Sequence, residues 1–146
     1  MAIDQVREAA DQTALVEAEV YRWYNLFFPW SRGKCSQSES AIKPLYDALD
    51  DDFRVVLTNG QIMGRADYWA RLWSLYGERE GSPESHIIDL SIEALPGGFF
   101  LTVFDLVKDG IPKKKVDSAL MRLDPKSPSG VSWIYVHESE HERAAA

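Results

Sequence analysis

The spacing of apolar residues changes once along this chain, and that change constrains its fold more than any single motif. From residue 3 to 28, Ala9, Thr13, Val16, Val20, Trp23, Tyr24 and Phe27 recur at steps of three and four, which gives one long helix a single apolar face. Glu8, Asp11, Glu19 and Arg22 fall off that face and are expected in solvent. The helix is expected to stop before Pro29, because a proline pushes the preceding residue out of helical geometry. From residue 85 the period is two. His86, Ile88, Leu90 and Ile92 alternate with Ile87, Asp89, Ser91 and Glu93, the pattern of a half-buried strand.

The intervening segments follow from local chemistry. Residues 31–38 form a polar loop, a candidate mobile insertion, which carries the lone Cys35 beside Lys34. A short helix capped by Ser38 or Ser40 buries Ile42, Leu45, Tyr46 and Leu49, and Asp50, Asp51 and Asp52 are expected to stop it. Those aspartates lack the alternating ligand spacing of a calcium loop. Phe53 to Leu57 is strand-like, and Asn59-Gly60 marks a tight hairpin returning through Ile62-Met63. A third helix opens at Gly64-Arg65, with Tyr68, Trp69, Leu72, Trp73, Leu75 and Tyr76 as its stripe and Asp67–Arg71 as a candidate ion pair. Phe99 to Val107 is apolar on both parities, so both faces of that strand are expected to be covered. Lys113 to Leu123 and Val131 to Glu138 complete the strands, and a polar, frayed tail is expected from about residue 140. Helices first and a four-stranded antiparallel meander last predict one α+β domain, with three helices on one face of a mainly antiparallel sheet.

Composition excludes several function classes. Sixteen basic against 23 acidic residues leave a net charge of −7, unsuited to a nucleic-acid backbone, and Lys113, Lys114 and Lys115 are expected to be a solvated strand start. No apolar run reaches the ~18–20 residues a membrane span needs, and the first residues lack a signal core, so a cytoplasmic protein is expected. One cysteine rules out an internal disulfide. No phosphate loop, nucleophile elbow or Cys-x-x-Cys pair occurs, and no cofactor is expected.

The candidate site residues are few. Asp105 interrupts the apolar run Val103 to Val107, where a carboxylate costs several kcal/mol unless paired, so it is either an acid or base or the partner of Arg122 or Lys115. His137, on the last strand, is a second acid/base candidate, and Tyr24 a hydrogen-bond donor. Trp23, Phe28, Trp69 and Trp73 are candidates for an aromatic ligand wall, with core packing as the alternative. His137-Glu138-Ser139-Glu140-His141 spells the zinc-protease pattern. That chemistry needs a helix, whereas on a strand the two histidines stand ~13 Å apart, so no metal site is expected.

Asp51-Asp52-Phe53-Arg54-Val55-Val56, Asn59-Gly60, Gly64-Arg65 and the ending Gly130-Val131-Ser132-Trp133 into His137-Glu138-Ser139 together resemble NTF2-like domains of the SnoaL-like kind. The resemblance runs from the first helix to Glu138. It implies a cystatin-like cone: a strongly curved sheet wrapped round the long helix, an apolar pocket inside, and a homodimer formed through the outer sheet face. Steroid-isomerase-like members carry a carboxylate base just after the strand matching 53–57, where this chain has Val56-Leu57-Thr58. They also carry a neutral acid near the position of Ala119; Asp117, two residues away, is not expected to substitute without a register change, so the steroid-isomerase reaction itself is not expected. Two functions therefore stay open: a small-molecule-binding module for a hydrophobic ligand, and a cofactor-independent isomerase, cyclase or dehydratase.

Overall fold

The computed structural model describes residues 2–143. Three helices, α1 (Ile3–Ser31), α2 (Glu39–Tyr46) and α3 (Arg65–Ser74), pack on a sheet of six strands. These are β1 (Leu49–Val56), β2 (Ile62–Gly64), β3 (Ser85–Leu95), β4 (Phe99–Lys108), β5 (Lys113–Leu123) and β6 (Val131–Glu142). The sheet order is β2-β1-β6-β5-β4-β3. β3 to β6 form the expected antiparallel meander, and the β1–β2 hairpin extends it through a parallel pairing of β1 with β6.

α1 does not stop at Pro29. It runs on to Ser31 because tertiary contacts outweigh the local penalty. Trp30 is 1% exposed and donates its indole N–H to the Leu72 carbonyl at 2.7 Å, while Ser31 Oγ bonds back to Phe28 O at 2.9 Å. The loop after it is likewise tied down: Tyr76 OH donates to Cys35 O at 2.5 Å, and Arg79 N to Ser31 O at 2.8 Å. Burial pushes the Cys35 thiol up, away from a reactive thiolate.

Three further expectations are corrected. Asp50 to Asp52 do not end α2 but belong to β1, where buried Asp50 pairs with Arg122. The hairpin at Asn59-Gly60 forms as expected, with Gly60 at positive φ (85°) and its N–H donating to Leu57 O. Residues 139–142 are paired strand rather than frayed tail, and only residues 144–146 of that tail lie outside the described residues. Glu19 is fully buried: Arg22 Nε and Nη2 donate to it at 2.6 and 3.0 Å, and Trp133 Nε1 at 2.8 Å.

Two irregularities decide which side chains face the helices. β3 holds Asp89 at φ 55°, inside a register shift against β4 between Ile88 and Ser91. Ile87, Leu90 and Ile92 therefore pack on the core, while His86 and Ile88 face out. β6 carries a second shift opposite Leu120–Met121, so that Met121 faces Trp133 but Leu120 faces Tyr135. Each extra residue reverses the parity downstream of it and adds local bend to the strand.

Candidate functional site

The pairing registers write the concave face as four rungs across β4, β5 and β6. Phe100, Met121 and Trp133 make the first, and Thr102, Ala119 and Val136 the second. Phe104, Asp117 and Glu138 make the third, and Leu106, Lys115 and Glu140 the fourth. The first two rungs are buried against α1. Polarity begins at the third, where two carboxyl groups are cross-strand neighbours, and increases toward the fourth.

α1 lays Trp23, Tyr24 and Phe27 over these rungs. Tyr24 OH donates to Asp117 Oδ2 at 2.9 Å. Asp117 is fully buried, and its Oδ1 has no hydrogen-bond partner among the described residues. Burial pushes the Asp117 carboxyl up to about 6, and Glu138 adds to the rise, while Lys115 and the Tyr24 hydroxyl pull against it. Burial, reinforced by Asp117, raises Tyr24 well above the ordinary phenol value. Tyr68 of α3 is raised for the same first reason, with Glu138 next. Both phenols are thus neutral donors at any physiological pH. Lys115 Nζ holds Glu138 Oε2 at 2.9 Å.

The apolar hollow expected beneath α1 is filled. Trp23, Tyr24, Phe104 and Trp133 interlock, with ring centroids 5.0 Å apart for Trp23–Tyr24, 5.5 Å for Tyr24–Phe104 and 5.9 Å for Trp23–Trp133. The crevice left between Trp23, Phe53, Tyr68, Val136 and Glu138 has a volume of about 20 Å³, room for one water. Larger spaces lie at its mouth. One, of about 130 Å³, lies between Tyr24, Tyr68, Arg71, Lys115 and Glu138. The other, of about 210 Å³, lies over Phe27, Phe28 and Leu106.

The residues singled out from sequence are divided by this geometry. Tyr24 and Trp23 line the crevice, and Phe28 lines the larger mouth space. Trp23 also donates its indole N–H to Leu45 O at 3.1 Å, so it is core as well as wall. Trp69 packs instead on Tyr46 at 4.8 Å, and Trp73 lies 39% exposed against Trp30 at 5.6 Å. They are turned away because only Tyr68 and Leu72, one helical turn apart, are the buried positions of α3. Asp67 and Arg71 form no ion pair within 4.0 Å.

Asp105 has the opposite parity from Phe104. It stands on the convex face, locked to Lys114 Nζ at 2.8 Å rather than to Arg122 or Lys115. His137 is also on the convex face, exposed, with Tyr135 beside it at 6.5 Å between rings. The shift at Leu120–Met121 put it there: Trp133 faces in, yet two and four residues later Tyr135 and His137 face out. Asp105 and His137 are therefore not brought together with Tyr24. His141, hydrogen-bonded to Ser139 Oγ at 2.9 Å, is on the same paired strand as His137, so the zinc-protease spacing has no helix to act on. Among the described residues no three His, Cys, Asp or Glu side chains are placed to hold a metal ion.

Asp117, Tyr68 and Glu138 are the groups that sequence reasoning passed over. Asp117 needed no register change to stand in for an acid at Ala119, since two residues along a strand is the same face. That parity was available in the sequence. The inward turn of Glu138 was not, because it depends on the bulge.

Solved structures place this geometry. A protein of unknown function from Pseudomonas aeruginosa, described as NTF-2 like, superposes with a TM-score of 0.71 at 14% identity, over 87% of this chain and 98% of its own. The chain has the NTF2-like fold. A ketosteroid isomerase-like protein from Parabacteroides distasonis shares the NTF2-like fold at a TM-score of 0.53 and 13% identity, over 71% of this chain and 76% of its own. The association domain of C. elegans CaMKII does so at 0.59 and 8%, over 88% and 98%. No family model and no curated protein matches the sequence. Such distant likeness carries the architecture and leaves the chemistry to the residues present. Among the described residues no helix is long and apolar enough to cross a membrane.

Proposed function

We propose that this chain is a small-molecule-binding protein that takes its ligand at the mouth of the concave face, with Tyr68, Glu138 and the Tyr24–Asp117 pair at the closed end. The supporting observation is the state of Asp117. A carboxyl group with no solvent exposure, one oxygen bonded to Tyr24 and the other without a partner, is costly in a core that apolar residues otherwise fill. An apolar side chain there would be cheaper for folding, so the group is retained for what it does. The proposal includes a cytoplasmic homodimer. Leu101, Leu120 and Tyr135 are cross-strand neighbours on the convex face, with Leu101 36% and Tyr135 38% exposed, and an apolar row of this kind suits a second copy.

The test is titration of a panel of one-ring ligands followed by tryptophan fluorescence, since Trp23 and Trp133 wall the crevice. Saturable quenching, weakened by Phe28→Ala at the mouth, is expected. Ligands that leave both fluorescence and melting temperature unchanged overturn the reading. Light scattering tests the assembly: a dimer that Leu101→Lys makes monomeric is expected, and a wild-type monomer refutes that part.

A second reading, a cofactor-independent isomerase, cyclase or dehydratase, is favoured by one observation. Asp117 and Glu138 are neighbouring carboxyls in different settings, one buried and held up near 6, the other paired with Lys115. Divergent environments are how a carboxyl pair divides acid and base roles. Proton exchange into a bound ketone in deuterated water, lost in Asp117→Asn, would establish it. No exchange with any bound ketone removes it and leaves the binding reading standing.

A further inference from the structure

The charge around the mouth runs against that of the chain. With 23 acidic residues and a net charge of −7, the larger cleft nevertheless gathers Arg79, Lys108, Lys113, Lys114 and Lys115 round about 210 Å³, with Glu140 the single acid in its lining. Three of the five cations are spoken for. Lys113 meets Glu140 at 3.2 Å, Lys114 meets Asp105 at 2.8 Å and Lys115 meets Glu138 at 2.9 Å. Arg79 and Lys108 have no carboxylate within 4.0 Å among the described residues.

The fold fixes this arrangement. Lys108 lies two residues past Leu106 on β4, which puts it on the concave side one step beyond the fourth rung. Arg79 is brought to the same rim by its backbone bond to Ser31 at the end of α1. Burial, then Arg79, Lys115 and Arg32, depress the Lys108 ammonium. These like charges repel one another, and an anion between them lowers that repulsion while gaining attraction. The floor beneath is different in kind: Phe27, Phe28 and Leu106 present ring and methyl surface.

We infer that the ligand is an amphipathic anion, a compact apolar body laid on Phe27, Phe28 and Leu106 with a carboxylate or phosphate-ester head held by Arg79 and Lys108. This rests on the small-molecule-binding reading above and names its ligand class. Arg79 supplies a planar fork for two oxygens, and Lys108 a point charge that adapts to either head. Neutral ligands lie on the same apolar floor and lack the charge attraction of the rim.

The experiment compares 3-phenylpropionate and phenyl phosphate with neutral 3-phenylpropanamide by calorimetric titration of the full chain, at low and at high sodium chloride. At least one of the two anions is expected to bind about tenfold or more tighter than the amide, the worth of one charge-assisted hydrogen bond, and the tighter anion identifies the head. That advantage is expected to shrink with salt. Lys108→Gln and, separately, Arg79→Gln are each expected to lower anion affinity about tenfold and to lower amide affinity much less. Having both variants keeps the test decisive if one fails to fold. Equal affinity for anions and amide overturns the inference but not the binding reading, because the amide still reports an occupied cleft. Anion binding that neither variant weakens also overturns it. No binding by any of the three overturns both.

Discussion

Replacing Asp117 by asparagine tests the energetics on which the site depends. The carboxyl titrates near 3.8 when exposed and near 6 in the fold, chiefly because burial penalises its charged form. The native state therefore holds this proton more tightly than the unfolded chain. What Asp117 contributes to stability is fully present below pH 4 and is lost as the pH rises through about 6. At about 1.4 kcal/mol per pKa unit, the loss amounts to about 3 kcal/mol by pH 8. Asp117 is fully buried, so solvent screening takes little from that figure. Asp117→Asn keeps an acceptor oxygen for the Tyr24 hydroxyl but has no proton to lose. Its own cost is the same at every pH. Contributions from groups distant from position 117 cancel in the difference. Urea denaturation followed by tryptophan fluorescence, in steps from pH 3 to 8 at constant ionic strength, is expected to show the variant gaining on the wild type by about 3 kcal/mol across that range, with most of the change above pH 4 and complete soon after pH 6. Parallel stability curves would falsify the argument, since they would mean that Asp117 ionises as easily inside the fold as outside it.

Other predictions follow from buried contacts. Glu19→Ala strands the Arg22 guanidinium and the Trp133 indole N–H that now donate to it, and is expected to cost about 3–5 kcal/mol in chemical denaturation. Leu72→Ala opens a fully buried position beside Trp30 and is expected to cost about 2–5 kcal/mol in the same assay. Gly60→Ala meets no atom within 4 Å, so its cost is the backbone alone at φ 85°, about 1–2 kcal/mol. A drop of a few degrees in melting temperature is the expected reading, and no drop would mean the turn rearranges freely. Tyr24→Phe removes the one hydrogen bond that the Asp117 carboxyl has among the described residues and is expected to raise that carboxyl further, shifting its stability transition to higher pH.

The helices and the four-stranded meander were legible because each rests on many residues at once. Val16, Val20, Trp23, Tyr24 and Phe27 are all buried, as their spacing requires. The ends of elements were less legible, because they depend on single residues set against distant contacts. Pro29 argued for a stop, and Trp30 reaching Leu72 overrode it. Glu19 looked solvated from its place on the helix, yet Arg22 and Trp133 satisfy it inside the core. A charged residue can be buried wherever the fold brings its partners, and no periodicity records that partner set.

The site was hidden for a narrower reason. On a strand, a side chain's face is fixed by counting in twos, and one bulge makes every later count wrong. Asp105 and His137 were attractive because of their chemistry and their strands. Parity alone removed both: Asp105 is one residue out of step with Phe104, and His137 lies beyond the shift opposite Leu120–Met121. The same shift brought Glu138 in beside Asp117. The polar rungs of the concave face thus depend on an irregularity that composition and spacing do not encode, while their partner Tyr24 is placed by the most regular element in the chain. The long helix fixes one wall, and the one-residue shift in β6 decides that Val136 and Glu138 face the concave side while Tyr135 and His137 face out.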